Sequence, residues 1–132
     1  MGTEEVAPEL RLFIAENISS VLQLEILLLL QTNRAQSWSA AALARELRIE
    51  PSGAKQALAI LASRGLIQRI SEQSDDYHYA PRIPELDRLT TALAQAYLSR
   101  RVTIISLIFS QPPKNLLDFA EAFRLRKENP NG

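Results

Sequence analysis

The stretch from Ser37 to Ala80 constrains the fold of this chain more than any other. It predicts a helix from Ala40 to Leu47, because apolar residues recur there at the helical spacing of three and four. Pro51 marks the start of a second helix, since its missing N–H is not needed in a first turn. Gly65 ends that helix, because glycine favours the left-handed cap. Two β-prone runs follow, so the stretch predicts a helix, a tight turn, a helix and a β-hairpin.

The predicted hairpin strands are Leu66 to Ile70 and Tyr77 to Tyr79, joined by a polar loop over residues 71–76. Both strands are rich in β-branched or aromatic residues, which favour a pleated surface. Ser39 is the predicted N-cap of the first helix, since its hydroxyl can accept from an unpaired amide of the first turn.

This order of elements resembles the winged helix-turn-helix of bacterial transcription regulators, including the MarR-like group. The sequences ALAREL (42–47) and ALAILASRGLI (57–67) carry the resemblance, which covers roughly a third of the chain. It implies a mainly α fold with a small β-wing, double-stranded DNA as the partner, a homodimer, and a role in transcription regulation. In many winged helices a short strand before the first of these helices pairs with the wing, so the resemblance makes Ser37-Trp38-Ser39 a candidate for that strand. The expected winged helix-turn-helix domain, with its N-terminal helices, spans residues 9–83 and follows a flexible tail at 1–8.

The helix predicted from Val21 to Gln31 is apolar on almost every side, with Ser19 or Ser20 as its N-cap. A helix of this kind is expected to be buried nearly all round. One small domain rarely covers such a helix completely. Either another helix of this chain or a second subunit is therefore expected to cover it.

A long helix is predicted from Pro84 to about Ser110, followed by a short amphipathic helix at 114–127. The apolar residues of the long helix recur at spacings of three and four. We interpret residues 84–132 as a helical dimerisation arm, because this helix and the apolar helix from Val21 together expose more apolar surface than one domain can hide. The alternative is that these helices fold back and cover Val21 to Leu30 within one chain. The residues assigned to the dimer contact are Leu86, Leu89, Leu93, Tyr97, Ile104 and Leu107.

The net charge is zero, but residues 34–69 carry six basic and two acidic side chains. A local basic patch attracts phosphates even on a neutral protein. Residues of the first two turns of a groove-bound helix read bases, so Gln56 is expected to pair with adenine and Lys55 with guanine or phosphate. Arg34 is a further candidate for a phosphate contact. The predicted DNA-binding residues are Ser52, Gly53, Lys55, Gln56, Arg45 and Arg48.

The hairpin loop departs from this pattern, because it carries Glu72, Asp75 and Asp76. DNA-binding winged helices often place Arg or Lys at the wing tip, where the chain enters the minor groove. Carboxylates at that place are repelled by phosphates. The alternative function is therefore a winged-helix module that binds protein, as an adaptor or regulatory subunit, with little DNA binding.

An enzyme is not expected, and neither is a catalytic residue, a metal or a cofactor. The chain has one histidine and no cysteine, so the usual zinc ligand sets cannot form. Its four glycines are not clustered into a phosphate-binding loop. The absence of cysteine fits a reducing compartment. The start of the sequence lacks the pattern of a signal peptide, and the apolar runs are too short to span a membrane, so a cytoplasmic location is expected.

Overall fold

The computed structural model describes residues 6–110, which are mainly helical with a small two-stranded antiparallel sheet. The elements in chain order are α1 (Pro8–Asn17), α2 (Val21–Thr32), α3 (Ala40–Leu47), α4 (Pro51–Ser63), β1 (Ile67–Arg69), β2 (Tyr77–Tyr79), α5 (Pro84–Ser99) and α6 (Arg101–Phe109). All of them contribute to one hydrophobic core.

Helix α2 lies at the centre of that core, and no residue from Val21 to Gln31 is exposed. Ser20 caps it by accepting a hydrogen bond from the amide of Gln23, as predicted for one of the two serines. Helix α4 and strand β2 pack against α2. The expectation of burial on nearly all sides is confirmed, and the covering elements belong to the same chain.

The start of the described chain differs from the predicted tail. Val6 is only 6% exposed and belongs to the core, and α1 begins at Pro8. Helix α1 buries Leu10, Phe13 and Ile14 and packs against α5 and α6. Val6 is therefore packed into the domain, because burying an apolar side chain stabilises the folded state by about 1.5–3 kcal/mol.

The predictions between residues 37 and 80 are confirmed at the level of helices, caps and strands. Ser39 accepts from the amide of Ala42, and Pro51 occupies the first turn of α4. Gly65 has φ +80° and connects α4 to β1. Strands β1 and β2 pair antiparallel with Gln68 opposite His78. Trp38 forms an isolated bridge to Tyr77, with both backbone hydrogen bonds between 2.7 and 2.8 Å.

The single long helix predicted from Pro84 to Ser110 is wrong, because the chain breaks at Arg100. Arg100 has φ −138° and ψ 54°, its N–H closes α5 on the carbonyl of Ala96, and its own carbonyl starts α6. The break turns Ile104 and Ile108 into the core. Burying such a side chain contributes about 1.5–3 kcal/mol, against roughly 1 kcal/mol for each helical hydrogen bond that the break removes.

The part of the predicted C-terminal arm that the structure describes belongs to the same core as residues 9–83. Helices α5 and α6 fold back on α1, and α5 is hydrogen-bonded to α2 through Thr91 and Gln31. Within residues 84–110 the fold-back alternative is thus the one observed. The short helix predicted at 114–127 lies outside the described residues.

Candidate nucleic-acid interface

The N-terminal half of α4 presents three of the predicted base-reading residues to solvent. Ser52, Lys55 and Gln56 are exposed, while Ala54 and Ala57 of the same turns are buried. The N-cap of α4 is Glu50, which is exposed and makes no side-chain cap hydrogen bond. The positive end of a helix dipole favours phosphate, and the Glu50 carboxylate opposes that effect. The geometry brings a cation, an amide and a hydroxyl to one end of one helix.

Gly53 belongs to a different face of α4. A Cβ atom built on it would lie 3.8 Å from Cδ2 of Leu22, which is an ordinary contact with helix α2. The side of Gly53 that could carry a side chain therefore faces helix α2, and Gly53 itself is partly exposed. Of the four residues of α4 predicted to bind DNA, Gly53 is the one that lies against another helix, α2.

Arg45 and Arg48 are both exposed on the C-terminal part of α3 and the turn after it. Arg48 caps α3 in the left-handed conformation, with φ 59° and ψ 52°. Its N–H and that of Ile49 both donate to the carbonyl of Ala44. Glycine is the usual residue in such a cap, so an arginine there holds a backbone conformation that costs about 1–2 kcal/mol.

The cations of the α3–α4 region differ from several others in their partners. Arg88 pairs with Glu9 and Glu85, and Arg101 lies 3.5 Å from Glu25. The side chains of Arg45, Arg48 and Lys55 form no ion pair or hydrogen bond with any residue between 6 and 110. These three charges are available to an anionic partner.

Arg34, considered from the sequence as a phosphate contact, has a structural role instead. Its guanidinium is 3.1 Å from Oδ1 of Asp87 and lies over the ring of Tyr79 at 4.8 Å. The hydroxyl of Tyr79 donates to the same carboxylate oxygen, and Gln31 donates to Thr91 nearby. This group ties the end of α2 and strand β2 to α5.

Tyr79 and Asp87, the titratable pair of this group, shift each other's pKa through their hydrogen bond. Burial, followed by the hydrogen bond to Asp87, raises the pKa of the Tyr79 phenol from 10.0 to about 12. The donated hydrogen bond from Tyr79 lowers the pKa of the Asp87 carboxyl, and Arg34 lowers it further. Both shifts favour the pair with Tyr79 neutral and Asp87 ionised.

The loop between β1 and β2 is acidic in space as well as in sequence. Glu72 and Asp75 are exposed, and Asp76 is partly exposed. Arg69, the cation nearest the loop in sequence, donates to the carbonyl oxygens of Glu72 and Ser74. The guanidinium of Arg69 is therefore hydrogen-bonded to the backbone of its own loop. The carboxylates of the loop give its tip a negative charge.

The residues predicted for dimerisation lie mostly inside the chain's own core. Leu93 and Ile104 are 0% exposed, and Leu89 and Tyr97 are buried. Leu86 and Leu107 are partly buried and pack against the same core. The buried four have no side-chain surface left for a second copy, because folding back onto α1 and α2 already covers the face that the periodicity identified.

The apolar surface of the C-terminal helices lies elsewhere, and the sequence analysis missed it. Leu98, Val102 and Phe109 are 88%, 76% and 75% exposed. An open groove of about 360 Å³ lies between α2 and α5, and Leu28, Leu47 and Leu98 contribute to its lining. From the sequence, the opposite face of this segment was assigned to a dimer contact, and these residues were not considered.

Two further findings concern metal ligands and membrane-spanning helices within residues 6–110. No group of three or more His, Asp or Glu side chains there could hold a metal ion. Among residues 6–110, no single helix is long and apolar enough to cross a bilayer. One pair, α1 with α2, has the required length and apolarity when taken together, but the two helices are bent by 106° relative to each other.

No protein family, curated protein or solved structure matches this chain. The assignment of a function therefore depends on the charges and exposures described above, together with the resemblance of residues 37–80.

Proposed function

We propose that this protein is a cytoplasmic, homodimeric transcription regulator that binds double-stranded DNA through a winged helix-turn-helix, with α4 as the recognition helix. One observation carries the proposal. Three cations, Arg45, Arg48 and Lys55, lie exposed on α3, the turn and α4 without a described counter-ion. Unpaired cations beside an exposed helix start suit the phosphates and base edges of a major groove.

The roles within this interface follow from the side-chain chemistry. The amide of Gln56 suits the N6 and N7 edge of adenine, and the ammonium of Lys55 suits guanine or a phosphate. Arg45 and Arg48 lie outside the recognition helix and hold the backbone, which sets the register without reading sequence. Gly53 takes no part, since its open side faces Leu22.

The test is fluorescence anisotropy with a labelled pool of genomic duplex fragments at low salt. Lys55→Glu combined with Gln56→Ala is expected to weaken binding by at least about tenfold, the factor that a lost base or phosphate contact typically produces. Arg11→Glu makes the same charge reversal on α1 and serves as the matched control. Absence of binding by the unaltered chain contradicts the proposal.

The acidic loop supports a second candidate, a winged-helix module that binds a basic protein surface. Glu72, Asp75 and Asp76 lie together at the loop, and Arg69 is occupied by the loop backbone. A partner recovered by pull-down from cell extract should be lost when these three are changed to lysine. The same partner should be retained by the Lys55→Glu variant. The reverse result excludes this candidate.

A further inference from the structure

Ala59 lies exposed on helix α4, three residues after Gln56 and four after Lys55. Positions at these spacings share one face of a helix. The methyl group of Ala59 therefore belongs to the face that carries the two base-reading candidates. Ala57 and Leu58, directly before Ala59, are buried in the core. Their packing fixes the rotation of the helix and holds Ala59 on its outward face.

Helix α4 carries little charge itself, although cations lie beside it. Lys55 is its one charged residue in the sequence PSGAKQALAILAS, while Arg45 and Arg48 are exposed on α3 and in the turn. The Glu50 carboxylate lies before the helix, at its N-cap, more than two turns from Ala59. On a duplex, cations contact the phosphates, and hydrogen-bonding or apolar side chains contact the base edges in the groove. The outward face of α4 around Ala59 has the second kind of chemistry.

A methyl group on this face favours one base, thymine. Thymine presents its O4 atom and its C5-methyl group in the major groove, and alanine makes an apolar contact with that methyl group. The contact removes both methyl groups from water, which is favourable. Cytosine would instead place its N4 amino group against a side chain that cannot accept a hydrogen bond. Ala59 therefore distinguishes the two pyrimidines.

The helical spacing of Gln56 and Ala59 also limits how far apart their two bases can lie. Cβ atoms three residues apart on a helix are separated by about 5–6 Å, and successive bases of one strand rise by about 3.4 Å. The two side chains therefore reach adjacent base pairs or base pairs separated by one other.

We propose that Ala59 is a specificity-determining residue of the DNA interface, which contacts the C5-methyl group of a thymine within two base pairs of the adenine read by Gln56. This inference rests on the DNA binding of the proposed function and adds a base to the sequence that the interface selects. Uracil lacks only the C5-methyl group and keeps the hydrogen-bonding atoms of thymine. Replacing thymine by uracil in a duplex therefore isolates this one contact.

The first test selects duplexes from a random pool with the full chain and then replaces each thymine of the selected duplex by uracil, one at a time. Anisotropy is expected to show a loss of affinity of about fourfold at a thymine within two base pairs of a selected adenine, the factor that corresponds to burial of one methyl group. Equal affinities for all uracil duplexes overturn the Ala59 contact and leave DNA binding standing. A pool without any selected duplex overturns the proposed function together with this inference.

The second test removes the methyl group from the protein instead. Ala59→Gly is expected to bind the thymine duplex and the matching uracil duplex with equal affinity. Ala15→Gly, at an exposed position of α1, makes the same change in a helix and is expected to keep the difference of about fourfold. Each variant is compared with itself on two duplexes, so a change in stability affects both measurements alike. A difference of about fourfold that persists in Ala59→Gly overturns the proposal.

Discussion

The phenolic hydroxyl of Tyr79 donates to Oδ1 of Asp87 across 2.6 Å, which joins strand β2 to helix α5. Burial and this hydrogen bond raise the pKa of Tyr79 to about 12, and the same bond lowers the pKa of Asp87. The hairpin is thereby held to the C-terminal helices through one hydrogen bond between two titratable groups.

Stability should therefore fall at both ends of the pH scale. Asp87, with a lowered folded pKa, stabilises the fold above its unfolded value near 4 and loses that contribution as the pH falls through the folded pKa. Tyr79, with a raised folded pKa, contributes fully below pH 10 and loses that contribution as the pH rises towards 12. Urea unfolding across pH should show both losses.

Tyr79→Phe should remove the alkaline loss and reduce the acid loss, which Arg34 still maintains in part. It should lower the unfolding free energy at neutral pH by about 1–2 kcal/mol, the usual contribution of a hydrogen bond to a charged group that is partly exposed. Asp87→Asn should flatten the acid limb. In a double-mutant cycle the two substitutions should be non-additive. Full additivity would show that the two groups do not interact in solution.

Arg48 combines a strained backbone with an exposed charge, so its replacement should separate stability from binding. Arg48→Gly relieves the left-handed cap and should raise the unfolding free energy by up to about 1 kcal/mol. The same change removes a phosphate contact of the proposed interface and should weaken DNA binding. Thermal unfolding and anisotropy measure the two effects. A variant that is more stable and binds DNA equally well would remove Arg48 from the interface.

The two described helix-associated glycines should respond to alanine in opposite ways. Gly65 has φ +80°, a backbone conformation that side chains with a Cβ rarely adopt, so Gly65→Ala should destabilise the fold by about 1–3 kcal/mol. Gly53 is helical with ordinary space beside Leu22. Gly53→Ala should stabilise α4 by about 0.5–1 kcal/mol and leave DNA affinity unchanged. Reduced affinity of Gly53→Ala would return this residue to the interface.

Local sequence signals predicted most of the fold between residues 37 and 80. Proline at a first helical turn, serine caps and a glycine with positive φ act through the backbone of their own turn, so they can be read without tertiary information. The bridge between Trp38 and Tyr77 lies where the resemblance to winged helices implied a short strand. The DNA-binding candidates on α4 were found because helix numbering alone sets which residues lie in its first turns.

The C-terminal helices were predicted less well, for a tertiary reason. The apolar spacing that begins at Leu86 continues past Arg100, and no proline or glycine marks the break. The break depends on the core position that it gives Ile104 and Ile108, which is set by α1 far away in sequence. An apolar periodicity indicates that one face of a helix is buried, but it does not show whether the same chain or a second copy covers that face. Residues of the chain's own core were therefore assigned to a dimer contact.

The charge of the hairpin loop gives a direct test of whether it approaches DNA. If the loop lies beside a groove, changing Glu72 and Asp75 to glutamine should strengthen DNA binding and shift it to higher salt, because repulsion from phosphates is removed. Glu9→Gln, on α1, removes a carboxylate that pairs with Arg88 away from the hairpin and serves as control. Equal DNA affinities of the loop variant and the unaltered chain would place the loop away from the duplex.

We propose above that Arg45, Arg48 and Lys55 contact the phosphates and base edges of DNA. The most direct measurement is the salt dependence of the DNA association constant for the full chain and for the variant with these three residues changed to alanine. Each lost phosphate contact lowers the slope of log K against log salt by about 0.9. We expect the magnitude of this slope to be smaller by about 2–3 in the triple variant. Identical slopes for the two proteins, or no DNA binding by the unaltered chain, would contradict it.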